Sequence, residues 1–258
     1  MPINFHDSTN KYSYTARTAD SRWIQLIWDF SAIQGKAVLD LGCGGGIYTR
    51  ALALAGARQV TGMDFSAEML QGAEADCRGI SNLSFRQGSA LNIPQPAESY
   101  DLLLQRALIH HISELDVCFR EAWRVLRPRG RLFVQDRTPE DCALPGSAGH
   151  LRGYFFEKYP LLLTQEQARR HPAERVAGEL TAAGFEIIAE LKIWEHRRSY
   201  RHFGELRAEL LQRQGRSILH ELTDVELSEL ADHMEERLGS GGPIEEQDRW
   251  TMWVAEKR

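Results

Sequence analysis

A short apolar run, Ala37-Val38-Leu39-Asp40-Leu41, passes directly into Gly42-Cys43-Gly44-Gly45-Gly46, and the helix-forming stretch IYTRALALAGA begins at the next residue. A strand, a glycine-rich turn and a helix joined without a spacer open a βαβ unit, which commits the chain to a sheet with helical crossovers. Glycines at alternate positions let the backbone approach a ligand closely, and the N-terminus of the following helix presents unpaired N–H groups. The turn is therefore expected to hold something nucleotide-like.

The same rhythm continues downstream. QVTGMD is followed by SAEMLQGAEADC, then LSFRQG, then YDLLLQ and SELDVCFREAWRVL, and then RLFVQD, with Pro128 and Gly130 read as the stop between the last helix and strand. Short β-rich runs alternating with helical ones predict an α/β fold, a mostly parallel sheet with helices on both faces. Before it, Asp20 can cap a helix whose Trp23, Ile24, Ile27 and Trp28 share one face.

Residues 138–172 break the pattern: PEDCALPGSAG reads as loop and HLRGYFFEKYPLLL as helical, a stretch expected to form a lid. A helix near Ala173 to Ala183, ending at Gly184, and a strand, FEIIAELKIW, restore the rhythm. Two charged helical stretches within 203–240 precede a last strand, RWTMWVAEK. We read 1–258 as one domain: an N-terminal cap region (1–35), a ligand-binding core (36–137), the lid, and a C-terminal part of the sheet (173–258) that carries the helical insertion.

Composition narrows the partners. A net charge of −5 over 258 residues provides no basic stripe for a phosphate backbone or anionic lipid, so neither nucleic acid nor membrane is expected as a partner. Cys43, Cys77, Cys118 and Cys142 form no C-x-x-C pair, which fits reduced thiols in a cytoplasmic protein and no metal site. No run approaches the roughly 20 apolar residues that span a bilayer, and the N-terminal stretch lacks an apolar signal core. The local basic cluster HRRSYRH at 196–202 reads as a solvated face.

The spacing around the turn discriminates between ligands. A dinucleotide fingerprint, G-x-G-x-x-G, would need its third glycine at Ile47 counting from Gly42, or at Thr49 counting from Gly44. Asp40 would repel a pyrophosphate but attract an ammonium group. Asp64 closes the second strand, where an acidic residue accepts hydrogen bonds from a ribose diol. Phe65 follows it, and Met69 lies on the next helix's first turn, so both can pack on an adenine ring. A cationic adenosyl compound, S-adenosylmethionine, meets all of these demands.

LDLGCGGG (39–46), VTGMDFSAEML (60–70), GSALNIP (88–94), YDLLLQRALIHHI (100–112) and EAWRVLRPRGRLFV (121–134) together resemble the UbiE-like group of class I S-adenosylmethionine-dependent methyltransferases, over roughly residues 37–136. The resemblance implies a Rossmann-like seven-stranded sheet of order 3-2-1-4-5-7-6, with its last strand antiparallel. It also implies a cofactor, S-adenosyl-L-methionine, that leaves as S-adenosyl-L-homocysteine after donating a methyl group to a small-molecule acceptor. By the same resemblance Gly42, Gly44 and Gly46 line the methionine part, with Asp40 and Cys43 in the same turn, and Asp64 holds the ribose. Gln105 faces the methionine portion and Tyr14 belongs to a segment that folds over it. Where the family usually has an acid near the adenine amino group this chain has Ser89, which leaves a hydroxyl contact or a backbone contact from Ala90.

Methyl transfer from a sulfonium is an in-line displacement that needs a base only when the acceptor is protonated. His110 and His111 follow the fourth strand and are candidate bases, against a packed and hydrogen-bonded role for either. Asp136, ending the fifth strand, can orient substrate, pair with Arg137 or cap a turn. Arg106, with His150, Arg152 and Tyr154 of the lid stretch, are candidates for acceptor contact, against ordinary core packing. The competing functions are an S-adenosylmethionine-binding protein without methyl transfer and a nucleic-acid methyltransferase. LLQRAL in place of an N-P-P-Y-type turn disfavours the second.

Overall fold

A computed structural model describes Ala19 and residues 21–258. The expected helix cap Asp20 and the cofactor-contact candidate Tyr14 lie outside the described residues. In chain order the elements are α1 (Ser21–Phe30), β1 (Ala37–Leu41), α2 (Ile47–Leu54), β2 (Gln59–Asp64), α3 (Ala67–Asp76), β3 (Leu83–Gln87) and β4 (Tyr100–Arg106). A 3-10 turn (Ile109–His111), α4 (Leu115–Val125), β5 (Leu126–Asp136), α5 (Pro139–Cys142), α6 (Arg152–Lys158), α7 (Pro160–Ala168), α8 (Ala173–Ala182) and β6 (Phe185–Tyr200) follow. α9 (Phe203–Leu211), a second 3-10 turn (Ser217–Glu221), α10 (Asp224–Leu238) and β7 (Ile244–Lys257) complete the chain.

The strands form one seven-stranded sheet of order β3-β2-β1-β4-β5-β7-β6, as the resemblance implies. The pairs β1/β2, β1/β4, β2/β3 and β4/β5 are parallel, and β7 lies antiparallel to β5. All five residues of β1 are buried, as a central parallel strand covered on both faces must be. Alternation assigns side chains to faces. The register Leu41–Gln105–Val134–Trp253 forms one row across the sheet, and the next row on that face ends at Asp136. This face packs Cys118, Phe119, Ala122 and Val125 of α4 and Val176 and Leu180 of α8 into the main apolar core. Asp40, Leu104, Arg106, Phe133 and Gln135 project from the other face, where Trp23 of α1 donates from Nε1 to Gln135 Oε1 at 2.7 Å.

The chain divides into two compact units. Within the described residues, one runs to Asp136 and takes in His171–Lys192 and Thr251–Arg258; the other comprises Arg137–Arg170 and Ile193–Trp250. The second unit has its own apolar core, built from Phe155, Phe203, Leu206, Leu210, Leu227 and Leu230 among others. Two of its helices start on reciprocal capping boxes, Thr138 with Asp141 at α5 and Thr223 with Glu226 at α10.

Three expectations change at this level. PEDC is not loop but the helical turn α5, because Thr138 caps it and Pro139 sits at its first position, where no N–H is needed. The aromatic stretch forms two helices, since Pro160 can open a helix but cannot continue one. Helix α4 ends at Val125, before Pro128, and β5 starts at Leu126 with a register irregularity opposite Tyr100 and Leu102.

The basic cluster at 196–202 is also not simply a solvated face. The Arg197 side chain is only 5% exposed and donates to Glu246 Oε2 at 2.7 Å and Glu209 Oε1 at 3.0 Å, while buried Arg216 donates to Glu246 Oε2 at 2.6 Å and to the Tyr200 hydroxyl at 3.0 Å. Burial pushes the Glu246 carboxyl up, but Arg216 and Arg197 more than offset it and hold it below the ordinary carboxylate range. A charge survives burial when it is paired and hydrogen-bonded, and residue spacing does not reveal a partner about 50 positions away.

Candidate active site

The glycine turn leaves β1 with Gly42, Gly44 and Gly46 all in the left-handed region, at φ 77°, 51° and 78°. A side chain at Gly42 would strike Leu108, with its Cβ 2.8 Å from Leu108 Cδ1, and one at Gly46 would crowd Phe85 and Ala73. Gly46 is the N-cap of α2, so the N–H groups of that helix's first turn open toward the turn.

The turn is stitched to the end of β2. Gly42 N and Cys43 N donate to Met63 O at 2.7 and 3.0 Å. The Asp64 carboxylate accepts from Gly44 N at 2.8 Å and from Ser66 N at 3.0 Å. Burial pushes the Asp64 pKa up, and the N–H groups of Ser66 and Gly44 oppose that shift. Two carboxylate oxygens offer about four acceptor sites, so this one can hold the turn and still accept from a ligand hydroxyl. Phe65 is 52% exposed beside it, an uncommon position for a large aromatic ring, and Met69 is buried on the first turn of α3, capped by Ser66. Ser89 is exposed and accepts from Leu91 N, and Ala90 is half-buried next to it.

Asp40 is buried at 2% exposure and accepts from Thr49 Oγ1 at 2.6 Å. Burial raises its pKa from an ordinary 3.8 to about 6; the Thr49 hydroxyl lowers it, Asp64 raises it and Arg106 lowers it. Cys43 is half-buried, and burial with the nearby carboxylates holds it as a thiol. All four cysteines are free. Gln105 is fully buried on the α4 face, with Nε2 3.4 Å from Cys118 Sγ.

At the ends of β4 and β5 three of the sequence candidates come together. His110 Nδ1 lies 2.9 and 3.1 Å from the two Asp136 carboxylate oxygens, with His110 9% and Asp136 1% exposed at the side chain. A carboxylate only accepts, so Nδ1 carries the proton and donates it. Asp136 also accepts from His110 N at 3.3 Å, and the exposed His111 ring stands 3.9 Å from that of His110. The backbone leading to this pair is held in an uncommon conformation, Ala107 at φ 51°.

The acceptor-contact candidates divide. Arg106 lies in the sheet unit, its guanidinium 4.1 Å from the centre of the Tyr48 ring. His150, Arg152 and Tyr154 lie in the helical unit. There His150 Nδ1 is 3.0 Å from Pro145 O, Arg152 pairs with Asp248 at 3.2 Å, and the Tyr154 ring packs edge-on to His233. Several positions escaped sequence reading: Thr49, which caps Asp40; Tyr48, beneath Arg106; and His171, whose Nε2 is 3.0 and 2.9 Å from Ile109 O and Ile112 O on either side of His110. Thr49 and Tyr48 fall on the first turn of α2 and were visible as neighbours of the glycines, whereas nothing local marks His171.

Residues 39–134 match the family described as "Methyltransferase domain". The demethylmenaquinone methyltransferase of Tropheryma whipplei (strain Twist) is 39% identical over 100 residues, 39% of this chain and 41% of that protein. The ubiquinone biosynthesis O-methyltransferase of Azorhizobium caulinodans is 30% identical over 159 residues, 60% of each chain. The chain spans about half the length of the curated relatives it matches. Among solved structures, a candidate methyltransferase from an antibiotic biosynthesis pathway of Anabaena variabilis superposes with a TM-score of 0.73 at 19% identity, over 95% of this chain and 100% of that one, a likeness of fold. Among the described residues no helix is long and apolar enough to cross a membrane.

Proposed function

Residues 39–134 belong to the methyltransferase-domain family, and from that premise we propose that this protein is an S-adenosylmethionine-dependent methyltransferase acting on a small molecule with a protonated oxygen, nitrogen or carbon nucleophile. The observation that carries the proposal is Asp64, whose carboxylate ties the glycine turn to the end of β2 beside the exposed Phe65. The residues fit the cofactor: Gly42, Gly44 and Gly46 hold the left-handed backbone that lets the turn approach a ligand closely, Asp64 receives the ribose hydroxyls, and Phe65 and Met69 flank the adenine. Ser89 or the Ala90 backbone meets the adenine edge. Asp40 contributes negative charge toward the ammonium group, with Cys43 and Gln105 bounding the methionine part.

When bound, S-adenosylmethionine supplies an electrophilic methyl group. The chain's own residues then orient the acceptor and handle its proton. Asp136 fixes His110 with Nδ1 protonated, which leaves Nε2 as the atom that takes a proton from the acceptor, and the buried carboxylate stabilises the imidazolium formed. His111 stands beside this pair as a second candidate base or an acceptor contact. A net charge of −5 and four free cysteines support a cytoplasmic enzyme with no nucleic-acid or membrane partner.

The test is release of S-adenosylhomocysteine on incubation with methyl-labelled cofactor and a panel of phenols, carboxylic acids, amines and activated-carbon acids. Label transferred to one class supports the proposal and identifies the acceptor. Tight cofactor binding with no transfer to any class would replace it with a binding protein.

A further inference from the structure

We propose that His171 is a positioning residue for methyl transfer: its ring clamps the short turn that carries His110, so that the His110–Asp136 pair stands at a fixed place beside the glycine turn. This rests on His110 being the base, as given under the proposed function.

The turn needs outside support. Ile109–His111 is a single 3-10 turn, closed by His111 N donating to Leu108 O and Ile112 N to Ile109 O, both at 3.0 Å. One such turn is too short to hold its own conformation, and the chain enters it through Ala107 at φ 51°. Asp136 grips it from one side, accepting from His110 N at 3.3 Å and from Nδ1 at 2.9 Å. His171 grips it by its carbonyls: Nε2 lies 3.0 Å from Ile109 O and 2.9 Å from Ile112 O, the residues that bracket His110 and His111. Carbonyl oxygens only accept, so Nε2 carries the proton and one N–H serves both carbonyls. The clamp stands on a firm base, two residues before α8, whose Val176 and Leu180 are buried in the main core. Arg175, on the first turn of α8, adds a donation from Nη2 to Ser113 O at 3.1 Å. At its other end the turn touches the cofactor cradle, because Leu108 packs on Gly42, where a Cβ would fall 2.8 Å from Leu108 Cδ1. A shift of this turn therefore moves the base relative to the methyl donor, and a misplacement of about 1 Å costs on the order of 10²-fold in rate.

The experiment is nitrogen-15 NMR of the full chain labelled at histidine, with and without S-adenosylhomocysteine, for wild type, His171→Leu and His171→Gln, with His110→Ala assigning the His110 signal. Wild type should show His171 protonated at Nε2, and His110 protonated at Nδ1 with slow exchange of that proton. His171→Leu should speed that exchange at least about tenfold while the other histidine signals stay in place. His171→Gln, whose amide N–H reaches about as far as Nε2, should keep it within about threefold of wild type. In methyl transfer to whichever acceptor of the panel turns over, His171→Leu should lower kcat about 10- to 100-fold with KM for S-adenosylmethionine within about threefold, and His171→Gln should restore the rate. Adding His171→Leu to His110→Ala should cost nothing further, since the clamp acts through that ring. An unprotonated Nε2 on His171 in wild type, an unaltered His110 signal in His171→Leu, glutamine behaving as leucine does, or full turnover by His171→Leu while His110→Ala is slow overturns the assignment. The wild-type spectrum decides the matter even where a variant does not fold. Full turnover by His110→Ala, with His110 exchange still accelerated in His171→Leu, would instead remove the base reading and leave the clamp standing.

Discussion

Replacing Asp40 with asparagine should make the ligand-free protein more stable at neutral pH. The carboxyl is buried beneath the glycine turn, and its pKa rises from 3.8 to about 6 chiefly through loss of water. At 1.36 kcal/mol per pH unit, that gap corresponds to about 3 kcal/mol of unfavourable free energy once the group is ionised. The sign follows from linkage: with the folded pKa above the unfolded one, the folded state binds the extra proton between pH 3.8 and about 6. The contribution to stability is full below 3.8 and is lost as pH rises through about 6. Asparagine can still accept from Thr49 Oγ1 through its amide oxygen, so the neutral isostere keeps the hydrogen bond and removes the ionisation cost. That figure is already net of the attraction to Arg106, and imperfect replacement of the carboxylate by the amide leaves an expected increase of about 1–3 kcal/mol at pH 7.5, or roughly 2–4 °C in Tm per kcal/mol for a chain of this length. The assay is thermal unfolding of wild type and Asp40→Asn without ligand at pH 7.5 and pH 4.5. The variant's advantage should shrink toward zero at the lower pH, while its affinity for S-adenosylhomocysteine at pH 7.5 falls at least about tenfold. A variant no more stable than wild type at pH 7.5, or an advantage that does not change with pH, would refute the reasoning. Such a group exchanges folding stability for function, as binding sites commonly do.

Other perturbations follow from the same geometry. Asp64→Ala removes a ligand acceptor and leaves Gly44 N and Ser66 N without their carboxylate, and should weaken S-adenosylhomocysteine binding by about 1–3 kcal/mol in a calorimetric titration; unchanged affinity would remove Asp64 from the ribose site. His110→Ala should lower kcat for methyl transfer by roughly 10²- to 10⁴-fold with cofactor affinity unchanged; a rate within a few-fold of wild type would mean that the pair with Asp136 is structural. Arg216→Met withdraws one guanidinium from Glu209 and Glu246 in the helical unit and should destabilise the protein by about 3–5 kcal/mol in urea unfolding; a loss below about 1 kcal/mol would mean that the cluster reorganises around Arg197.

What was legible in the sequence was whatever local spacing controls. The strand–glycines–helix junction at 37–47, the acid ending β2 and the alternation through Asp136 each depend on residues a few positions apart, and the strand order came from the resemblance these motifs carry as a set. Even there, the partner of each group was hidden. Thr49 beneath Asp40, and Asp136 as the clamp on His110, are settled by how strands and helices stack, so the pairing of Asp136 stayed open among three choices until register placed it 26 positions from its partner. The helical unit was least legible. Arg197 and Arg216 look like surface charges in sequence because their carboxylates, Glu209 on α9 and Glu246 on β7, lie on other elements, Glu246 being 49 and 30 positions away, and β7 carries Glu246 buried in these ion pairs ahead of its apolar segment. Arg106 was legible as a charge but not as belonging to one face, since that assignment needs the register of β1, β4 and β5 together.

The central claim is that the turn after β1 and the carboxylate closing β2 form a cradle for an adenosyl sulfonium. The direct measurement is a crystal structure of the protein soaked with S-adenosylhomocysteine. The account predicts density over the ends of β1 and β2, with ribose hydroxyls on the Asp64 carboxylate, adenine against Phe65 and the amino-acid end at the glycine turn beside Asp40. Density for the compound elsewhere on the protein, or a cradle that accepts a dinucleotide in its place, would contradict it.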